Sequence, residues 1–323
     1  MRINPSRGLP VILILVCFTS FVRAQTSDST STTVTSATTS QTVSFAVGDG
    51  PEAIAFDGAN VWVANQFSNN VLKMRVSDGA VLGTYSAGKR PVALVFDGAN
   101  LWVANYLSNN VAKLRASDGV LLGTYATGDG PGGLTFDGKN IWVANRNSNN
   151  VSKLRASDGL ALGTFKVGTR PLALAFDGAN IWITNNKSNT VTVLNADDGS
   201  VLGTYTVGKG PFGVVFDGAN IWVANFFSQN VMQLGSNGSV INKIAVGDGP
   251  AGLSFAGGYL WVANNGSNTI SKLEPGTAVV VATFAVGRGP FGVVFDGANI
   301  WAASAGAGTV SRISPPNKLS HVP

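Results

Sequence analysis

Six aspartates hold one place in a repeated phrase: Asp57, Asp97, Asp137, Asp177, Asp217 and Asp296. Gathered on one axis, such an array would hold a metal ion or share acid and base work between neighbours. Each of the six, however, is followed by glycine, and Asp-Gly between apolar runs is turn composition. The turn is the simpler reading, so no metal, no cofactor and no catalytic residue is expected. The sole histidine is His321 in the tail, and the sole cysteine is Cys17 inside an N-terminal apolar stretch. Thiol and disulfide chemistry are thereby excluded from the folded part, and the remaining general bases are Asp49, Glu52, Asp129 and Asp248. A second set of residues is basic and aromatic. Lys89, Arg90, Arg146, Arg170, Lys187, Lys209 and Arg288 recur near Phe67, Tyr106, Phe226 and Phe227. Cations beside aromatic rings stack on sugars or bases, or grip a protein partner.

What must position these residues is a repeat. Phe-Asp-Gly-Ala-Asn-Ile-Trp-Val-Ala-Asn, or a close variant, carries all seven tryptophans, at Trp62, Trp102, Trp142, Trp182, Trp222, Trp261 and Trp301. A fixed period near 40 residues defines a repeat architecture. Within Pro51 to Gly88, four short runs rich in β-branched and aromatic residues are separated by Asp-Gly, Asn-Gln-Phe-Ser and Gly-x-x-Pro punctuation. These are strands, and no segment shows the 3.6-residue periodicity of a helix. Four strands in each of seven units predict an all-β, seven-bladed β-propeller of four-stranded antiparallel blades.

The ends test that prediction. The seventh unit runs into Pro315-Pro316 with only three strands, and Thr42-Val-Ser-Phe-Ala-Val-Gly48 matches the missing fourth. The N-terminal strand is therefore expected to close the last blade, leaving no open edge between the chain ends. The expected organisation is a signal peptide at 1–24, a Ser/Thr-rich linker at 25–41, the propeller at 42–313 and a tail at 314–323.

Two loop sets, one entering the first strand and one leaving the second, should share a rim, and there the copies stop agreeing. The entry loops carry Asp49, Lys89-Arg90, Asp129, Arg170, Lys209, Asp248 and Arg288. The others carry Gln66-Phe67, Tyr106-Leu107, Arg146-Asn147, Asn186-Lys187, Phe226-Phe227, Asn265-Gly266 and Ala305-Gly306. Variation on a rigid scaffold is expected where a ligand binds, and drift of exposed loops is the plainer alternative; the exposed aromatics favour binding at this rim. Strict alternation along the innermost strands puts Ile54 and Phe56 in the core and Ala53 and Ala55 on the axis. The equivalent positions hold no ionisable group, so the channel itself is expected to be inert.

Ile181-Trp-Ile-Thr-Asn185, the Ser-Asn-Asn/Thr-Val that follows, the Asp-Gly turn and Val-Gly-x-x-Pro resemble the YVTN/YncE-type seven-bladed propeller repeat. The resemblance spans residues 42–313, with Trp-Val-Ala-Asn standing for Tyr-Val-Thr-Asn. It implies a surface or periplasmic binding protein, with nucleic-acid binding as one variant. Virginiamycin B lyase-like propellers look similar more distantly, and they imply a lyase that depends on a histidine base and a divalent metal.

Arg2 and Arg7 followed by the apolar stretch Val11–Val22 and Val-Arg-Ala24 read as a secretory signal. A dozen apolar residues are too few to span a bilayer, which takes roughly 20, and Val16 before Cys17 does not suit lipidation. Without residues 1–24 the chain carries 19 basic against 17 acidic residues, a net +2. That balance does not favour nucleic acid. The expectation is a secreted, periplasmic or cell-surface monomer without catalysis, engaging a glycan, an envelope component or a protein.

Overall fold

The computed structural model describes residues 41–314. The expected signal peptide lies outside the described residues, as do the linker up to residue 40 and the tail from residue 315. Strand β1 (Gln41–Ala46) comes first. Then β2 (Pro51–Phe56), β3 (Asn60–Asn65), β4 (Asn70–Arg75) and β5 (Val81–Tyr85) form an antiparallel blade in chain order. From β6 (Pro91–Phe96) to β25 (Val279–Ala285) the same meander repeats five times. The last blade, β26 (Pro290–Phe295), β27 (Ile300–Ser304) and β28 (Thr309–Ser314), takes β1 as its outer strand. Seven four-stranded blades stand in a ring, each innermost strand against the next, from β2 beside β6 round to β26 beside β2. The expected β-propeller and its closure by the N-terminal strand are both present.

The turns form because their residues satisfy the local backbone. Asp57 Oδ1 accepts from the Ala59 and Asn60 N–H groups at 2.9 and 2.6 Å, while Gly58 takes a φ of 94° that an L side chain resists. The aspartate has a second task that its Asp-Gly context did not disclose. Its Oδ2 accepts from the Trp62 indole N–H at 2.7 Å, and Asp97, Asp137, Asp177, Asp217 and Asp296 repeat this bond. The sixth copy has Ala256 instead, and Trp261 donates to that residue's carbonyl at 3.3 Å.

The core is divided among the interfaces between blades. Trp62 packs with Leu101 and Val103 of the following blade, and Trp301 packs across the seam on Val61 and Val63. No tryptophan is more than 2% exposed. Burying such a ring contributes roughly 4–6 kcal/mol as an upper bound, so seven of them dominate the stability of the ring.

This arrangement corrects the expectation for the innermost strands. Each blade shows its two faces to its two neighbours, so alternation sorts side chains between adjacent blades, not between core and axis. Ile54 packs towards Trp301 in the preceding blade, whereas Ala55 packs towards the following one. Ala53 and its counterparts are small for the same reason. A Cβ on Gly133, Gly213, Gly252 or Gly292 would press on the backbone of the adjoining innermost strand.

Candidate binding site at the channel mouth

One break in the pairing builds the site. Pro51 pairs with Asn65 and Ala53 with Ala64, so Glu52 is the extra residue of a β-bulge. The same register shift follows the first proline of every blade. A bulge re-aims its side chain, and here the re-aimed residues line the central cavity. Around the ring they are Glu52, Val92, Gly132, Leu172, Phe212, Ala251 and Phe291. All of them except Ala251 line a cavity of about 220 Å³, together with Arg146. The expectation of a channel free of ionisable groups is thus wrong at its mouth, where Glu52 and Arg146 face each other.

The two loop sets meet at this rim, as expected. The Gln66 and Phe67 N–H groups donate to Gly50 and Asp49 carbonyls at 3.0 and 3.1 Å, and Tyr106 N–H donates to Arg90 O at 2.9 Å. The turn position held by Gly50 requires left-handed backbone, with φ of 65°. Five copies use glycine there, but the second and fourth use Arg90 and Arg170, with φ of 56° and 57°. A non-glycine residue in that region costs on the order of 1 kcal/mol, and such positions cluster at functional sites. In both arginines the strained N–H is held by an asparagine Oδ1 of the preceding blade at 2.8 Å, Asn69 for Arg90 and Asn149 for Arg170.

The side chains form two arcs. On one, the Arg90 guanidinium lies 5.0 Å from the Tyr106 ring centre and 6.0 Å from that of Phe67, and Arg146 lies 5.5 Å from Tyr106. Arg90 Nε donates to Gln66 Oε1 at 3.1 Å. Arg146 Nη2 donates to Gly132 O at 3.0 Å and sits 3.6 Å from Glu52 Oε1, with both side chains nearly buried, at 13% and 11% exposed. Gly132 makes room for this placement, because a Cβ there would displace the Arg146 side chain. On the other arc, Phe212 packs against Phe226 and Phe291 with centroids 6.2 and 5.7 Å apart, and Phe227 meets Phe226 edge-on at 5.1 Å.

Burial dominates the ionisation of the pair. It pushes the Glu52 carboxyl up against the opposing pull of Arg146 and Arg90. It pushes the Arg146 guanidinium down, although Glu52 favours the charge. Each charge is therefore only partly compensated by the other, as expected for a pair held just beyond hydrogen-bond distance.

Of the predicted rim residues, the structure brings Arg90, Tyr106, Arg146 and Phe226 to the mouth. Phe67 and Phe227 flank it and are 63% and 69% exposed. Lys89, Arg170, Lys187, Lys209 and Arg288 stand exposed, with Arg170 near enough to oppose the charge of Arg146 and Arg288 tied back to Gly306 O at 2.8 Å. Phe212 and Phe291 were missed, and Glu52 was singled out only as a possible base. Their signal was nonetheless in the chain: the residue after the first proline is the one innermost-strand position where the copies range from Gly to Phe and Glu.

No protein-family model matches the chain, and no curated protein matches its sequence. Solved structures do match its shape. A catalytically inactive histidine-to-alanine variant of virginiamycin B lyase from Staphylococcus aureus, with quinupristin, aligns with a TM-score of 0.76 at 17% identity. That alignment covers 85% of this chain and 99% of the lyase. A streptogramin B lyase aligns at 0.75 and 18%, covering 85% and 97%. Hydrazine synthase from Kuenenia stuttgartiensis aligns at 0.75 and 20%, covering 83% and 96%. Proteins with such different names share the ring, so the likeness establishes the propeller and no activity. Chemically, the mouth offers guanidinium donors, one carboxylate and a wall of phenyl rings around a shallow opening. Among the described residues, no group of three or more His, Cys, Asp or Glu is placed to hold a metal ion.

Proposed function

We propose that this chain is a non-catalytic binding propeller that engages its ligand or partner at the channel mouth. One observation carries the reading: copies that agree through core, turns and closing strands diverge in three nested sets around a single opening. These are the bulge residues, the entry loops and the loops leaving the second strand. The N-terminal apolar stretch supports export, and hence a secreted, periplasmic or cell-surface setting. The Trp-Val-Ala-Asn signature supports kinship with YVTN/YncE-type repeats.

The alternative is a lyase like the Staphylococcus aureus protein, favoured only by shape. That enzyme is inactive when one of its histidines becomes alanine, and the single histidine of this sequence, His321, lies outside the described residues. Nucleic-acid binding draws on the basic rim, but the small net charge supports it weakly.

The test is a screen of the purified protein against glycans, nucleic acids and envelope extracts, beside a Phe226→Ala/Arg146→Met variant. Ligands captured by the wild type should bind the variant at least about tenfold more weakly. Equal capture by both would remove the mouth from the reading, and metal-dependent turnover of quinupristin would remove the non-catalytic assignment.

A further inference from the structure

We infer that the mouth takes an organic carboxylate with an apolar or aromatic body, its anionic group on Arg146 and Arg90 and its body against Phe212 and Phe291. The inference rests on the mouth being the binding site and adds the chemical class of its occupant.

Three observations point to an anion. Arg146 is buried with its Nε lacking any hydrogen-bond acceptor, while its Nη2 is bound to Gly132 O. A guanidinium whose donors are only partly matched by protein acceptors favours an added carboxylate partner. Arg90, 5.0 Å from the same Tyr106 ring and held by Gln66 Oε1 at 3.1 Å, is a second cation that acts on Glu52. Glu52 already shows what the site accepts, for its carboxylate lies 3.6 Å from Arg146, too far for a full hydrogen bond. Arg146 lines the cavity and keeps 13% of its side chain exposed, so a ligand carboxylate entering there meets a guanidinium that Glu52 only partly compensates.

The apolar half follows from the opposite arc. Phe212 and Phe291 belong to blades separated by one, yet their rings meet at 5.7 Å because Ala251 stands small between them. Together they cover one side of a cavity of about 220 Å³ whose other side holds Arg146. This is less than a typical drug-sized pocket of roughly 300 Å³ or more, so one ring-sized group fits and the rest of a larger ligand would lie outside.

Isothermal titration with three probes of one shape separates the contributions: 2-naphthoate, 2-naphthamide and 2-naphthylmethylammonium. The naphthoate should bind about tenfold more tightly than the amide, and the ammonium more weakly still. Arg146→Met should abolish the preference for naphthoate while leaving naphthamide within about threefold of its wild-type affinity. Glu52→Gln should tighten naphthoate by removing the competing carboxylate, and Phe291→Ala should weaken all three probes. Circular dichroism melts report whether each variant is folded. Equal binding of acid and amide, preference for the ammonium, or no binding of naphthoate would overturn the ligand class. If capture in the screen still depends on Phe226 and Arg146, the mouth stands as the site and only the class falls. If neither the capture nor the probes respond to mouth variants, both readings fall.

Discussion

At the scale of single residues, the aspartate of each turn joins local backbone to tertiary core. Asp97 takes the Trp102 indole N–H at 2.8 Å and two backbone N–H groups at 2.9 and 2.7 Å. Burial raises its carboxyl, but these bonds outweigh that and hold it below the usual value of 3.8, and Asp137, Asp177 and Asp296 behave likewise. A carboxyl lowered by folding stabilises the fold above its unfolded value and loses that contribution as pH falls through its folded one. Thermal melts should therefore decline together below about pH 4. Asp97→Asn leaves the indole N–H facing an amide and should cost about 1–3 kcal/mol at pH 7. As pH falls through the lowered folded value the gap to the wild type should narrow, since the native carboxyl loses its charge there; a gap independent of pH would show that the carboxylate charge is not the cause. The same scale explains what could be read from the sequence. Trp62 and its six copies announced the repeat, and Arg146 and Tyr106 stood out by disagreeing with their counterparts. Glu52 escaped because alternation was applied through a bulge, and bulges after proline do not follow a period of two. The Asp–Trp bond escaped because Asp-Gly is sufficient reason for a turn by itself.

At the scale of strands, the blades are fastened by a cation passed from one to the next. Lys113, on the third strand of its blade, is 6% exposed, yet its Nζ donates to Ala156 O and Ser157 O of the following blade at 2.6 and 3.2 Å. It also lies 5.1 Å from the Trp102 ring. Lys73 and Lys153 repeat the reach, to Ala116 O and Ala196 O. At the same position the fourth blade has Val193, and the fifth has Gln233, which accepts within its own blade from Asn242 at 2.7 Å. Since valine packs in that slot, Lys113→Met should fold. It leaves two carbonyls without their charged donor and should cost about 1–2 kcal/mol in urea unfolding. Amide exchange near Ser157–Gly159 should accelerate in the variant. In the native protein, exchange should begin at the junctions following Val193 and Gln233, where the clamp is missing. Uniform protection around the ring would show that the lysines add nothing beyond the tryptophan packing. Their role was not legible in the sequence, because a lysine on an alternating strand reads as solvent-facing until the next blade is in place.

At the scale of the molecule, everything depends on the seam where the two ends of the chain meet. β1 pairs with β28 from Gln41 opposite Ser314 to Ala46 opposite Thr309. Phe45 stacks on Trp301 at 5.7 Å and covers Gly79 of the first blade so closely that a Cβ there would strike its ring. Arg312 fills the clamp position of the last blade and donates to Val76 O and Ser77 O, both at 2.9 Å. The seam thus repeats the aromatic and cationic contacts of the other junctions, but one of its strands is joined to the ring only through a single loop. Removing residues 1–46 would take away the Phe45 ring and uncover the edge of β28. The loss of that ring alone should cost about 3–5 kcal/mol, or roughly 5–9 °C in melting temperature for a domain of this size. The uncovered edge should also recruit strands from other chains, so the truncated protein should associate more than the full chain does. A peptide spanning Gln41 to Gly48 should reverse both effects by adding itself as the missing strand. It should need concentrations near the millimolar range, because the native strand acts at the effective concentration its short loop confers. A Phe45→Ala peptide should fail to rescue, which separates strand pairing from ring burial. A truncated chain that stays monomeric with an unchanged melt would mean that closure by β1 does not hold the ring. The channel mouth would then be held by the blade interfaces alone.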